Sequence, residues 1–334
     1  MSTNIPEQSN KFVWCQYDAP QWSLERPTES NGNREEELGK PKTQSFTMRH
    51  LKQGATGAVK TWPVAEVLLD YLVRRDGLRD AGLKALDRNQ DSGILDLTNA
   101  PSWPHGVGGV SIVTDKCYNV VELGSGSGYL GVGLALSLNR EANLLTTERG
   151  DPFRPRVRIL CTDNDRRTVK NMRHNVTQQP KESMVSKAVA VETLSWGADI
   201  GGDKFEKAVK TQFRRTKQDE SEAIEAESDP LRLVTHVIAS DVHYGVTTLE
   251  PLSSVIAAFK LRNPNIVVVI LNKERSPEQY PDTAQLKSQI EAKVRHGLGT
   301  TEYAPTTHSE LDGFSVTVRD VLHRDITNMK IIEC

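Results

Sequence analysis

The chain has 334 residues, of which 37% are hydrophobic and 26% charged, and its formal net charge is −2 at pH 7. This length allows one large domain or two modest ones, each with a sizeable core. The near-neutral charge gives no general electrostatic reason to expect binding to nucleic acid or to an anionic membrane.

Targeting signals and cysteines indicate where the chain is expected to work. No apolar run approaches the roughly 20 residues that span a bilayer, and MSTNIPEQSNK lacks the apolar stretch of a signal peptide. The four cysteines are scattered without CxxC or metal-ligand spacing, which predicts reduced thiols and no metal site. We therefore expect a cytoplasmic protein, with the nucleus as an alternative.

The first 45 residues are polar and rich in Pro, Gly and Glu, which predicts a partly disordered N-terminal extension over 1–45. The stretch FVWCQY within it could pack as an arm. The remaining residues, 46–334, are expected to form one domain. Its first predicted element is an amphipathic helix, PVAEVLLDYLVRR (63–75), with apolar residues at helical spacing and proline in the first turn.

Strand-like apolar runs then alternate with amphipathic helices. The strands are predicted at 119–124, 157–163, 188–194, 235–241, 265–272 and 314–322. Such strands predict a mostly parallel sheet covered by helices on both faces, so the fold class is doubly wound α/β. The last two runs, FSVTVRDVL and MKIIEC, are too close for a parallel crossover and predict a C-terminal antiparallel hairpin.

Two insertions interrupt this alternation. Residues 87–116 form a polar connection rich in Gly and Pro, and residues 201–230 are charge-rich with little apolar content. The second is expected to loop out of the core and to be partly helical at best.

The stretch VVELGSGSGYLGVG (120–133) should join a strand to a helix. Gly126, Gly128 and Gly131 match the G-x-G-x-x-G pattern of dinucleotide sites. Counted from Glu122, the same stretch reads E-x-G-x-G-x-G. A carboxylate there would oppose a pyrophosphate, whereas it would favour the sulfonium and ammonium groups of S-adenosylmethionine. The glycines alone leave both cofactors open, and Glu122 favours S-adenosylmethionine.

The second strand of the sheet ends in CTDND, which places Asp163 at its tip. A carboxylate in this position typically accepts hydrogen bonds from two ribose hydroxyls. Both cofactors contain a ribose, so Asp163 supports a nucleoside ligand without choosing between them. Alternatively, Asp163 caps the next helix and Glu122 pairs with a lysine.

Six short motifs follow one another in a characteristic order: TGAVKTWPVAEVLLDYL, VVELGSGSGYLG, CTDND, ETLSWG, ASDVHY and LNKERSPE. Together they resemble methyltransferase family 16, the seven-β-strand protein-lysine methyltransferases of the methyltransferase-like 21 and fungal elongation-factor type. The resemblance covers about residues 46–334. It implies a class I methyltransferase fold with a seven-stranded sheet and S-adenosylmethionine as the methyl donor.

The resemblance also assigns residues to the cofactor site. Gly124, Ser125 and Gly126 would contact the methionine part through the backbone, and Asp163 would hold the ribose. The pocket would further be lined by Trp62, by Trp196 against the adenine, and by Ser240. Either tryptophan could instead be a packing residue.

For the acceptor, the resemblance assigns the D-x-x-Y element formed by Asp241 and Tyr244. Methyl transfer is an in-line displacement by a neutral amine, so the enzyme mainly orients the acceptor and needs no metal. Asp241 would attract the incoming ammonium, and Tyr244 would align the amine. Alternatively, Asp241 caps a turn and Tyr244 packs in the core. His243 is a weaker candidate for a general base.

The resemblance implies a protein-lysine N-methyltransferase that acts on an abundant cytosolic protein, an elongation factor or a chaperone. We expect a monomer with a protein substrate. The alternatives are methylation of histidine, an N-terminus or a small amine, and a non-catalytic module that binds S-adenosylmethionine. A dinucleotide oxidoreductase ranks last.

Overall fold

The computed structural model describes residues 12–20, 43–52, 61–74, 95–96, 118–149, 157–196, 200, 202–213, 229–243, 245–275, 283–300, 316–322 and 329–334. The strands are β1 Phe12–Pro20, β2 Thr43–Leu51, β3 Leu95–Asp96, β4 Tyr118–Leu123, β5 Val157–Asp163, β6 Val189–Thr193, β7 His236–Ser240, β8 Val267–Lys273, β9 Thr317–Leu322 and β10 Met329–Glu333. The helices are α1 Pro63–Arg74, α2 Tyr129–Arg149, α3 Arg166–Gln178, α4 Val185–Ala188, α5 Asp203–Phe213, α6 Val246–Arg262 and α7 Thr283–Thr300. Two short 3-10 turns lie at Lys181–Ser183 and Pro230–Leu233.

The central sheet has the strand order β3-β9-β10-β8-β7-β4-β5-β6. Strand β10 runs antiparallel to both β8 and β9, and the other pairs are parallel. The predicted doubly wound α/β fold with a C-terminal antiparallel hairpin is therefore confirmed. The sheet has eight strands instead of the predicted seven, because the two-residue strand β3 extends its edge beyond β9.

Both faces of this sheet are covered, which explains why its strands read as continuous apolar runs. In β4, Val120 belongs to the core formed with α1, α2 and α3. Its neighbour Val121 belongs to the core on the opposite face, formed with α5, α6 and α7. Successive side chains of a strand point to opposite faces, so a strand covered on both sides must be apolar at every position.

Helix α5 corrects the expectation for residues 201–230. Phe205, Val209 and Phe213 are spaced by four residues and all are buried in the core. This part of the segment is therefore an amphipathic core helix and does not loop out, because three large apolar side chains on one face outweigh the surrounding charges. Residues 214–228 lie outside the described part of the chain. So does the predicted insertion at 87–116, apart from residues 95–96.

The strands β1 and β2 form a separate antiparallel ribbon, in register from Phe12 opposite Leu51 to Pro20 opposite Thr43. The ribbon packs on the core of α1 to α3 through the buried side chains of Ala19, Phe46 and Met48. The domain boundary predicted after residue 45 falls inside β2. Partial disorder of the other N-terminal residues stays a prediction.

Among the described residues, no helix is both long and apolar enough to span a membrane.

Candidate cofactor and acceptor site

The glycine-rich turn after β4 has an unusual backbone. Gly124, Gly126 and Gly128 have φ values of +64°, +55° and +83°, in the left-handed region that glycine adopts without steric cost. A Cβ on Gly124 would lie 2.8 Å from Val242 Cγ1 and 3.3 Å from Trp196 Cζ2. The alternating glycines therefore give the turn its shape and let it approach the ends of β6 and β7.

Hydrogen bonds lock this turn onto the end of β5. The Ser125 N–H donates to the Thr162 carbonyl at 2.8 Å, and the Thr162 N–H donates to Ser125 Oγ at 3.0 Å. The Gly128 N–H closes the turn on the Ser125 carbonyl at 2.8 Å. Since both backbone groups of Ser125 bond within the protein, Ser125 shapes the turn, and its predicted direct cofactor contact stays a prediction.

Asp163 lies at the predicted position, at the carboxyl end of β5 beside the turn. Its Oδ2 accepts the Gly126 N–H at 3.1 Å and its Oδ1 accepts the Asp165 N–H at 3.0 Å. Burial raises the pKa of Asp163, while these backbone bonds act in the opposite direction. Helix α3 is capped by Asp165, which accepts the Thr168 N–H at 2.7 Å. The capping alternative for Asp163 is therefore wrong, and its carboxylate keeps lone pairs for ribose hydroxyls.

Glu122 lies beneath the turn and is 2% exposed. Its Oε2 accepts a hydrogen bond from Cys161 Sγ at 3.3 Å, and its carboxylate accepts the Gly131 N–H at the start of α2. The alternative that Glu122 pairs with a lysine finds no support among its described partners. The carboxylate ties β4, β5 and α2 together, so the structure shows a positioning role, and direct contact with the cofactor stays a prediction.

The burial of Glu122 predicts a dependence of stability on pH. Burial raises its pKa from 4.5 to about 7, so the folded chain holds a proton that the unfolded chain releases in this window. Stability therefore falls as pH rises from 4.5 to 7 and levels off above. Relative to Glu122→Gln, which does not titrate, the wild type should lose roughly 2–3 kcal/mol of unfolding free energy between pH 5 and pH 8.

Urea unfolding of both proteins at several pH values measures this difference. The comparison with Glu122→Gln cancels the contribution of every other titrating group. A difference in unfolding free energy between the two proteins that stays constant from pH 5 to pH 8 would contradict the raised pKa of Glu122.

Asp241 lies where the sequence predicts it, directly after β7, and β7 pairs with β4. Its φ is +52° and its side chain is 1% exposed. Oδ2 accepts a hydrogen bond from Arg275 Nη2 at 2.6 Å, and Oδ1 accepts a long one from the Lys273 N–H at 3.5 Å. Asp241 does not cap a turn in these contacts; it forms a buried ion pair.

The ion pair extends to the predicted wall of the cofactor pocket. The Arg275 guanidinium carbon lies 5.7 Å from the centre of the Trp62 ring, within the range of cation–π attraction. Arg275 thus connects a predicted cofactor residue with a predicted acceptor residue. On the other side of the turn, Trp196 is half-buried and packs beside Gly124.

The loop after Asp241 is fixed by Asn272 at the end of β8. Its Oδ1 accepts the His243 N–H and its Nδ2 donates to the His243 carbonyl, both at 3.1 Å. The His243 ring is buried and its Nδ1 lies 3.5 Å from Thr248 Oγ1, which gives no support to a general base. Ser240 lies half-buried at the end of β7, and Tyr244 lies outside the described residues.

The structure therefore brings Glu122, Asp163, Trp196 and Asp241 to one edge of the sheet, around the glycine turn. Two residues that hold this edge together, Asn272 and Arg275, were not predicted. Both belong to the motif LNKERSPE, within which the sequence alone assigned a role to neither residue. No sequence signal specified that Arg275 pairs with Asp241, which is 34 positions away.

A protein-family model described as lysine methyltransferase matches residues 43–211, just over half of the chain. The chain belongs to this methyltransferase family. A search of curated proteins gives no match for the methyltransferase.

Several solved structures are similar to the methyltransferase. The human methyltransferase 10 domain-containing protein is 9% identical, with 78% of this chain and 80% of that chain covered and a TM-score of 0.36. The METTL16 methyltransferase domain is 11% identical, with 78% of this chain and 66% of that chain covered and a TM-score of 0.36. Precorrin-6y C5,15-methyltransferase from Geobacter metallireducens GS-15 is 12% identical, with 65% of this chain and 79% of that chain covered and a TM-score of 0.32.

The cofactor of the methyltransferase is S-adenosylmethionine, and the site fits it. The carboxylate of Asp163 lies beside the glycine turn, where it accepts the Gly126 N–H; a negative charge there would repel a pyrophosphate and suit a sulfonium and an ammonium. Gly124 leaves room for a close approach between the turn and Trp196. Asp163 would hold the ribose, and Trp62 and Trp196 would line the pocket.

Proposed function

We propose that this methyltransferase is a protein-lysine N-methyltransferase. The observation that carries the proposal is the buried carboxylate of Asp241, held by Arg275 at the carboxyl end of β7. Strand β7 is the direct neighbour of β4, whose glycine turn faces the same edge of the sheet. Ligands of doubly wound folds bind at this edge. The description of the family as lysine methyltransferase supports the same acceptor.

The bound cofactor supplies an electrophilic methyl group. The residues of the chain have to orient a neutral amine beside it, since a protonated amine has no lone pair. Asp241 uses Oδ2 for Arg275, so Oδ1 is the atom that would accept an N–H from the amine. The guanidinium of Arg275 offsets the charge of Asp241, which limits how strongly the site favours the protonated amine. Alignment of the amine by Tyr244 is part of the proposal.

The substrate is proposed to be an abundant protein, a translation elongation factor or a chaperone. The methyltransferase is proposed to act as a monomer in the cytoplasm. The protein substrate is supported by the order of the six motifs and by the family description.

Radioactive S-adenosylmethionine and cell extract test the proposal directly. The expected result is one labelled protein band with wild-type enzyme, and acid hydrolysis of that band should release labelled N-methyllysine. Labelled methylhistidine, a labelled N-terminal residue or a labelled small amine would support the corresponding alternative. Cofactor binding with no labelled product from several extracts would indicate a non-catalytic module.

A further inference from the structure

The guanidinium of Arg275 is only partly used by the protein. Nη2 donates to Asp241 at 2.6 Å, whereas Nη1 is buried and has no hydrogen-bond acceptor among the described residues. A buried donor without an acceptor is energetically unfavourable. Among the described residues, Nη1 of Arg275 is therefore open to an acceptor that a ligand would bring.

The glycine turn explains why that acceptor needs a side-chain donor. Three of its N–H groups already donate within the protein, Ser125 to Thr162, Gly126 to Asp163 and Gly128 to Ser125. These groups are the donors that such a turn would otherwise offer to an anion. An anionic group bound at this edge must therefore find its donors outside these three.

The cofactor carries one anionic group, the α-carboxylate of its methionine part. Two carboxylates lie at this edge of the sheet, Asp163 beside the glycine turn and Asp241 after β7, and each would repel an anionic group bound near it. Arg275 is a permanent cation between Asp241 and the Trp62 ring. A charge-assisted hydrogen bond from a guanidinium to a carboxylate is among the stronger polar contacts in proteins.

We propose that Arg275 Nη1 binds the α-carboxylate of S-adenosylmethionine. Asp241 then holds Arg275 from one side while the cofactor binds it from the other. Arg275 thereby fixes the methionine part relative to the acceptor carboxylate, so it is a binding residue of the cofactor and a positioning residue for methyl transfer. The positioning role rests on the proposed function of Asp241, whereas the binding of the cofactor carboxylate by Arg275 does not depend on the identity of the acceptor.

Isothermal titration calorimetry with two ligands tests the proposal without measuring turnover. S-adenosylhomocysteine carries the carboxylate, whereas 5′-methylthioadenosine lacks the amino-acid part and keeps the nucleoside. Arg275→Met should weaken S-adenosylhomocysteine about 10- to 100-fold and leave 5′-methylthioadenosine within about twofold. Arg275→Lys keeps a positive charge but lacks the second planar donor. Its affinity for S-adenosylhomocysteine should therefore lie between those of the wild type and Arg275→Met.

Controls separate this role from general damage. Arg295→Met removes an arginine from α7 whose side chain is 69% exposed and should change neither affinity. If Arg275→Met does not fold, Arg275→Lys is compared with the wild type in the same way. The proposal would be overturned if Arg275→Met bound both ligands more weakly by the same factor, or if it bound S-adenosylhomocysteine as tightly as the wild type does. Failure of the wild type to bind S-adenosylhomocysteine would overturn it as well.

Discussion

Replacing Asp241 with asparagine is expected to lower kcat for methyl transfer about 100-fold or more. Asparagine keeps the size of the side chain and tolerates the positive φ of +52°, so the loop after β7 should keep its conformation. The variant loses the negative charge that balances Arg275, and an amide nitrogen takes the place of one oxygen. Either Arg275 or the acceptor amine then loses an acceptor. Steady-state assays with radioactive S-adenosylmethionine and the protein that it labels measure this effect.

A second aspartate–arginine pair provides the matched control. Asp229 binds Arg262 through two hydrogen bonds of 2.7 and 3.0 Å, at the opposite end of β7. Asp229→Asn should lower stability and leave kcat within about twofold, since this pair does not touch the site. If Asp241→Asn retained wild-type activity, Asp241 would not be a catalytic residue.

Replacing Gly131 with alanine is expected to lower the unfolding free energy by about 3 kcal/mol. A Cβ at this position would lie 2.3 Å from Cys161 Sγ and 2.9 Å from Glu122 Oε2. Both atoms are buried under the first turn of α2 and bonded to each other, so neither can move away at low cost. The higher helix propensity of alanine, worth about 1 kcal/mol, is too small to compensate. Chemical denaturation measures the loss.

Two further variants show whether the clash is the cause. Gly245→Ala should be nearly neutral, because among the described residues a Cβ there meets only Thr247 Oγ1 at 3.8 Å. Cys161→Ala removes the closer clashing atom, so the double variant Gly131→Ala/Cys161→Ala should lose less than the sum of the single changes. Strict additivity would mean that the loss at Gly131 has another origin.

Most of the sheet could be predicted because local patterns encode it. The apolar run at 157–163 becomes β5 with the same bounds, and Asp163 lies at its end because strand ends follow from the run itself. Parallel strands converge at one edge, so the meeting of the glycine turn, Asp163 and Asp241 also follows from order along the chain. Helix α5 was not predicted, because charged and polar residues separate its three large apolar residues. Their spacing of four becomes a pattern only when the segment is considered as a helix.

Side-chain pairing could not be predicted, because it depends on contacts between distant segments. The sequence places Glu122 beside the glycine turn, but only the packing of α2 on β4 and β5 directs its carboxylate to Gly131 and Cys161. Likewise, Arg275 belongs to a charged segment that would look solvated in isolation. Its pairing with Asp241 requires β7 and β8 to be neighbours in the sheet.

The amide of Asn175 on α3 has a consequence for the order of assembly. Its Nδ2 donates to the Arg49 carbonyl in β2 and to the Ser127 carbonyl in the glycine turn, both at 3.0 Å, and its Oδ1 accepts the Arg49 N–H at 2.8 Å. One side chain therefore joins the N-terminal ribbon to the glycine turn, although Asn175 lies 126 positions after Arg49. During synthesis the ribbon leaves the ribosome long before α3, so it gains this partner only after the first half of the domain has emerged. A shortened chain that begins at residue 46 would lack the first three residues of β2. Its glycine turn would then form without the complete ribbon that Asn175 joins to it.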